Sequence, residues 1–133
     1  MELYCIISIT DRSKAQIMQD LYASCGLHMI FTHLGVGTAR SEHLSLYGLE
    51  ATDKAVVTGV ASASEERQLL KAAKRRLFID IPGNGVMMSV PLKSVAGSKT
   101  LTYLTENAEI GGKPSMEFAH ELIVVILNEG YSD

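Results

Sequence analysis

The order of its periodic segments constrains this chain more than any other feature of the sequence. Leu3–Ile9 is apolar at both odd and even positions, which predicts a strand buried on both faces. Apolar residues then recur at helical spacing over 17–25, with Thr10 or Asp11 as the candidate N-cap. Gly26 predicts the end of this helix, because glycine adopts the left-handed C-terminal conformation without strain.

The remaining elements follow in the same way. Met29–Leu34 predicts a second strand, and Ala55–Ala61 predicts a third after a long polar connection that contains several glycines. A second helix is predicted after Ser62, because Ser62 and Glu65 have the spacing of a capping box. Val86–Val90 then predicts a fourth strand.

This β-α-β-β-α-β order predicts an α+β domain of the ferredoxin-like type, a four-stranded antiparallel sheet with two helices on one face. Two helices cover only one face of such a sheet, yet the first and fourth strands are apolar at both parities. An exposed apolar sheet of this size is an association surface. We therefore expect sheet-to-sheet contact between identical subunits.

Composition narrows the class of protein. The chain has 133 residues, 47% of them hydrophobic, which predicts one globular domain with a short remainder. A net charge of −3 gives no reason to expect nucleic acid as a partner. No apolar run is long enough to span a bilayer, so membrane insertion is not expected. Cys5 and Cys25 lack metal-ligand spacing, and we expect reduced core thiols in a cytoplasmic protein.

The C-terminal part repeats the apolar pattern of the N-terminus. "HELIVVILN" at 120–128 matches "MELYCIISI" at 1–9 in its Glu-Leu pair and in the apolar run that follows. We divide the chain into a domain at 1–105, a polar glycine-containing linker at 106–118 and a C-terminal strand at 119–133. That strand is either an extra strand of the sheet or the start of a truncated second repeat. In either role it needs a strand partner.

Two Gly-x-Gly motifs occupy matching places in this order of elements. Gly35-Val36-Gly37 ends the second predicted strand, and Gly83-Asn84-Gly85 precedes the fourth. Together with the split βαββαβ order and the long connection between strands two and three, they resemble the PII-type nitrogen regulatory proteins. The resemblance covers about 1–104. It implies a homotrimer, adenine nucleotides bound in clefts between subunits, and a long T-loop that regulates a partner protein.

The resemblance also implies a ligand site built on the two motifs. Glycine lets the backbone approach a phosphate chain, because no Cβ lies in the way. A bulky residue at Gly85 is then expected to abolish binding and leave the oligomer intact. The sequence "PGNG" at 82–85 is equally consistent with a turn that binds no ligand. The implied nucleotide-binding residues are Gly35, Gly37, Thr38, Gly83, Asn84, Gly85 and Lys99. The implied partner-binding loop carries Arg40, Glu42, His43 and Tyr47.

Several positions of the family pattern differ in this chain. Family members carry a phosphate-binding lysine where Val86 stands and an arginine where Thr38 stands. The glutamine that they use for 2-oxoglutarate is Ala39 here, so this ligand is not expected. Fewer cations weaken the binding of a highly charged nucleotide. We expect ATP, ADP or AMP as a reversible effector and no covalently bound cofactor.

No group of residues predicts catalysis. The four histidines lack the spacing of a metal site within one element, and no nucleophile lies beside a plausible base. The residues therefore predict no enzyme, and the resemblance to the PII-type proteins implies a regulator of nitrogen utilisation that acts on a transporter or enzyme. An ACT-like amino-acid-sensing module shares the βαββαβ order and is the alternative, although such modules join strands two and three by a short hairpin. An acylphosphatase-like enzyme would need an arginine near Asn84.

Overall fold

The computed structural model describes residues 2–37, 53–95 and 119–125. Within these ranges the chain forms a four-stranded antiparallel sheet and two α-helices, which confirms the predicted α+β ferredoxin-like fold. In chain order the elements are β1 (Leu3–Asp11), a 3₁₀ turn (Arg12–Lys14), α1 (Ala15–Ser24), β2 (Ile30–Val36), β3 (Asp53–Ser62), α2 (Ala63–Leu77) and β4 (Val86–Pro91).

The strands lie in the order β2-β3-β1-β4, and every neighbouring pair is antiparallel. β1 and β3 are therefore the central strands, and β2 and β4 are the outer strands of the described sheet. β1 pairs with β3 along its whole length, from Leu3 opposite Ser62 to Asp11 opposite Lys54. As a result, the last residues of β1 lie beside the first residues of β3.

Both helices pack on one face of the sheet. The strand registers place Ile6, Val57 and Ala61 on this face, where they contact the apolar sides of α1 and α2. Burial of these apolar side chains is the main source of stability that the fold has available. The buried core consists of Ile6, Met18, Leu21, Tyr22, Leu27, Val57, Ala61, Leu69 and Ala73.

The end of α1 and the start of α2 confirm the predictions. The Glu65 N–H donates to Ser62 Oγ at 3.4 Å, and the Ser62 N–H donates to Glu65 Oε2 at 2.7 Å, which completes the capping box. α1 ends just before Gly26, which has a φ of 95°.

The predicted N-cap of α1 is wrong. β1 continues through Thr10 and Asp11, and the 3₁₀ turn separates it from the helix. The Asp11 side chain makes no cap bond and pairs with Lys54 instead. Strand pairing has therefore overridden the local capping preference of these two residues.

A buried hydroxyl joins α1 to both central strands. The Tyr22 hydroxyl is hydrogen-bonded to Ser8 Oγ on β1 and donates to the Val57 carbonyl oxygen on β3 at 3.1 Å. Tyr22 and Ser8 are fully buried. Burial raises the pKa of Tyr22 well above its usual value, so the phenol stays protonated and remains a donor.

The opposite side of the sheet, here named the second face, is apolar and carries neither α1 nor α2. Most of its side chains are half-buried, whereas Val86 and Met88 are 53% and 40% exposed. Cys5 is a free thiol on this face, and burial raises the pKa of that thiol, so it behaves as an apolar group. The second face consists of Cys5, Ile7, Ile9, Phe31, His33, Val56, Thr58, Val60, Val86, Met88 and Val90.

The predicted C-terminal strand is not confirmed. No residue of the described segment 119–125 is in a strand, and the linker at 106–118 lies outside the described residues. Glu121 forms an ion pair with Lys93, which follows β4. The four apolar residues at 122–125 are between 67% and 82% exposed. A strand requires hydrogen bonds from a neighbouring strand, and the described sheet does not provide them for this segment.

Replacing Tyr22 with phenylalanine should lower the free energy of unfolding by about 1–3 kcal/mol, because the buried Ser8 hydroxyl and Val57 carbonyl lose their hydrogen bonds to the phenol. Urea unfolding monitored by far-UV circular dichroism measures this loss. Tyr4→Phe is the matched control, because the Tyr4 hydroxyl donates to Glu2 at 2.8 Å in an exposed position. Its effect should stay within about 0.5 kcal/mol. Equal losses in both variants would contradict the role assigned to Tyr22.

Candidate functional site

The two glycine motifs lie at one end of the sheet, here named the site end, where β1 and β2 finish and β3 and β4 begin. Gly35 on β2 is opposite Lys54 on β3, which is opposite Asp11 on β1. Gly85 directly precedes β4 and lies against the Ile9 backbone. Both motifs therefore face the same end of the domain.

Within one chain, however, the two motifs are not adjacent. Gly35 is on the outer strand β2, and Gly85 leads into β4, the outer strand on the other side. Three strand spacings separate them, about 14 Å at about 4.8 Å for each spacing. A single phosphate group cannot contact both backbones in one subunit. The described residues of one chain therefore do not form the predicted cleft by themselves.

Several of the predicted site residues lie outside the described residues. Their assignments remain predictions from the sequence. They are Thr38 and Lys99 of the nucleotide site, and Arg40, Glu42, His43 and Tyr47 of the partner-binding loop.

Four charged side chains that were not predicted as ligand-binding residues lie at the site end. Lys54 Nζ is 2.5 Å from Asp11 Oδ1, and Arg12 Nη1 is 3.3 Å from Asp53 Oδ2. Arg12 Nη2 also donates to the Gly35 carbonyl oxygen at 3.3 Å. Arg12 and Lys54 therefore bring two positive charges close to the first glycine motif.

The sequence contains a signal for this cluster. Asp11 ends β1 and is followed by Arg12, and an Asp-Lys pair begins β3. Antiparallel pairing therefore brings opposite charges together. Arg12 and Asp53 are 41 residues apart, so the pairing of β1 with β3 must be known before the signal can be read.

The glycines of the two motifs have different structural roles. Gly85 has a φ of 120°, and a Cβ there would lie 2.6 Å from the Ile9 carbonyl oxygen, so the fold itself requires glycine. No described atom lies within 4 Å of a Cβ added at Gly35. A bulky residue at Gly85 therefore disrupts the fold, and the expectation that it affects only ligand binding is wrong.

Asn84 has a clear role within its own loop. Its side-chain Nδ2 donates to the Phe78 carbonyl oxygen at 3.1 Å, and its backbone N–H donates to the Ile81 carbonyl oxygen at 3.2 Å. Phe78 has a φ of 51°, a left-handed conformation that is rare for a large side chain. Asn84 therefore stabilises the turn that begins at Phe78, in keeping with the interpretation of "PGNG" as a turn. Its role in ligand binding stays a prediction.

The described part of the chain offers no metal centre, because no group of three or more His, Cys, Asp or Glu side chains within it could hold an ion. None of its helices has the length and apolar character needed to cross a membrane.

Comparison with known proteins identifies the fold. No protein-family model matches the chain, and no curated protein matches it either. Among solved structures, CPII from Thiomonas intermedia, a nitrogen regulatory PII-like protein bound to ADP, AMP and bicarbonate, matches with a TM-score of 0.55 and 13% identity over 73% of this chain and 97% of CPII. The apo form of CPII matches with a TM-score of 0.54 and 12% identity over 69% of this chain and 90% of that one.

A protein of another kind contains a region with a similar fold. A Bacillus cereus protein related to NIF3 matches with a TM-score of 0.52 and 17% identity over 70% of this chain. The chain spans only 26% of the length of that protein. Together these likenesses show that the chain has the fold of the PII-like proteins.

Replacing Gly85 with alanine should lower the free energy of unfolding by at least about 2 kcal/mol, because the backbone conformation is strained for any other residue and the Cβ meets the Ile9 carbonyl. Gly35→Ala is the matched control and should change it by less than about 0.5 kcal/mol, because open space surrounds that Cβ. Urea unfolding of both variants measures the difference. A well-folded Gly85→Ala protein with wild-type stability would contradict the structural role of Gly85.

Proposed function

We propose that the protein is a non-enzymatic PII-like regulator that binds an adenine nucleotide between the subunits of a homotrimer. The placement of the two glycine motifs carries this proposal. They lie at the same end of the sheet but on its opposite outer strands, so the β2 side of one copy and the β4 side of the next would together form the cleft. CPII, which has the same fold, has been solved as a complex with ADP, AMP and bicarbonate.

The β2 side has the chemistry that a phosphate group requires. Gly35 leaves space beside its backbone, because no described atom lies within 4 Å of a Cβ built there. Arg12 and Lys54 supply positive charge beside it. The β4 side has Val86 at the position where family members carry lysine, so the cleft as a whole holds less positive charge than the family pattern.

The loop between β2 and β3, with Arg40, Glu42, His43 and Tyr47, is the proposed contact with a regulated transporter or enzyme in nitrogen utilisation, within the cytoplasm. Both described ends of this connection lie at the site end, because Gly35 is near the end of β2 and Asp53 begins β3. A nucleotide at Gly35 would therefore lie directly beside the base of the loop.

The apolar second face supports the proposed oligomer. An open sheet of this composition in contact with water is unfavourable, and burial between identical copies removes the apolar surface from water. A charged side chain on the second face would stay in contact with water in a monomer. In the proposed trimer it would be buried between subunits, which is unfavourable. The association state is therefore sensitive to a charge at the centre of this face.

Light scattering should give three times the chain mass for the wild-type protein, and Ile7→Glu should convert it to a folded monomer. Ile7 lies on a central strand in the second face, so the added carboxylate would be buried unpaired in the trimer. Gln16→Glu, on the exposed surface of α1, is the control and should leave the mass unchanged. A wild-type monomer would contradict the proposed trimer, and a stable dimer would favour the ACT-like alternative.

Titration calorimetry should detect ADP and AMP with dissociation constants above about 1 μM and should show weaker binding of ATP than of the less charged nucleotides. Gly35→Val should lower the affinity at least about tenfold, which corresponds to about 1.4 kcal/mol, because the side chain blocks access to the backbone. The monomeric Ile7→Glu variant should also lose binding if the cleft lies between subunits. Thermal stabilisation by an amino acid and by no nucleotide would instead support the ACT-like function.

A further inference from the structure

Arg12 is bound to both ends of the connection between β2 and β3. One guanidinium nitrogen is 3.3 Å from Asp53 Oδ2 at the start of β3, and the other donates to the Gly35 carbonyl oxygen near the end of β2 at 3.3 Å. The Arg12 side chain is 41% exposed and the Asp53 side chain is 63% exposed. The guanidinium is therefore accessible to a dissolved anion.

The neighbouring ion pair has a different character. Lys54 Nζ is 2.5 Å from Asp11 Oδ1, and the Lys54 side chain is only 20% exposed. This shorter and more buried contact lies on the last rung that joins β1 to β3. The strand register therefore has a firm ionic contact without Arg12, and the Arg12–Asp53 pair can open without separating the strands.

A phosphate group is a stronger acceptor for Arg12 than the groups that it contacts now. Arginine binds phosphate oxygens in pairs, with charge-assisted distances of about 2.7–2.9 Å. Both present contacts of Arg12 are longer, and each uses one nitrogen. A phosphate beside the open backbone of Gly35 would be close enough to compete with Asp53 for the guanidinium.

We propose that Arg12 is a ligand-responsive clamp, in which a nucleotide phosphate bound at Gly35 draws the guanidinium away from Asp53 and frees the N-terminal end of β3. This inference rests on the proposed nucleotide-binding function. It gives the site a physical connection to the base of the regulatory loop through described residues alone. The ligand and Asp53 compete for one cation, so each weakens the hold of the other.

This competition determines the sign of a mutational effect. Asp53→Asn keeps the size of the side chain and weakens its hold on Arg12, so the affinity for ADP should rise by about two- to fivefold, the range expected for an exposed ion pair. Arg12→Gln should lower the affinity. In the Arg12→Gln background, Asp53→Asn should have no further effect, because the shared cation is gone.

The test is titration calorimetry with ADP on the full chain at about 0.15 M salt, where distant charges are largely screened. The variants are Asp53→Asn, Arg12→Gln and their combination, with circular dichroism and thermal unfolding to verify the fold. Asp20→Asn is the matched control, because it removes one exposed carboxylate on α1 whose described partner is Gln16. It should leave the affinity unchanged.

Each other outcome overturns the clamp. Weaker or unchanged binding in Asp53→Asn would mean that Asp53 orients Arg12 for the ligand or has no part in binding. An equal rise in the affinity for ADP in Asp20→Asn would mean that the change in net charge, and not the loss of the Asp53 contact with Arg12, causes the effect. A wild-type protein that binds no adenine nucleotide would refute the proposed function and the clamp together, whereas wild-type binding with an unresponsive Asp53→Asn would refute the clamp alone.

Discussion

A four-stranded sheet has two faces, and α1 and α2 cover one of them. The rest of the structure depends on this imbalance. The central strands place Ile6 and Val57 under the helices and Ile7 and Val56 on the second face. The same strands therefore build the core and an apolar surface that neither described helix covers. A one-residue slip in the register of a central strand would exchange the side chains of the two faces and damage both at once. The core and the apolar second face are therefore linked in the sequence of β1 and β3.

The site end shows how the pairing of the central strands also organises charge. Because β1 and β3 are antiparallel, Asp11 at the end of β1 lies opposite Lys54 on β3. Arg12, the next residue of the chain, forms an ion pair with Asp53, the first residue of β3. Lys54 and Asp11 complete the last rung, and Arg12 extends beyond it to the neighbouring strand at Gly35. The strand register thus positions Asp11, Asp53 and Lys54. The 3₁₀ turn directly after β1 positions Arg12.

Much of this fold could be predicted from the sequence, because periodicity and capping are local signals. The order of elements, the capping box at Ser62 and the helix end at Gly26 all depend on residues a few positions apart. The site was less predictable. Arg12 was missed because its partner Asp53 is distant in the sequence. The structural requirement for Gly85 was missed because a positive φ cannot be read from a Gly-x-Gly motif, and its ligand role stays a prediction from the resemblance.

The distribution of charge relative to the two glycine motifs bears on how the proposed cleft would treat a phosphate chain. Val86 follows the second motif and is 53% exposed on the second face, so the β4 side is apolar where the family pattern has a lysine. Arg12 and Lys54 both lie on the β2 side, near Gly35. A ligand phosphate would therefore be neutralised at one wall of the cleft only. Each further phosphate that extends toward the β4 wall adds negative charge without a described cation to receive it, which limits what the site gains from a longer chain.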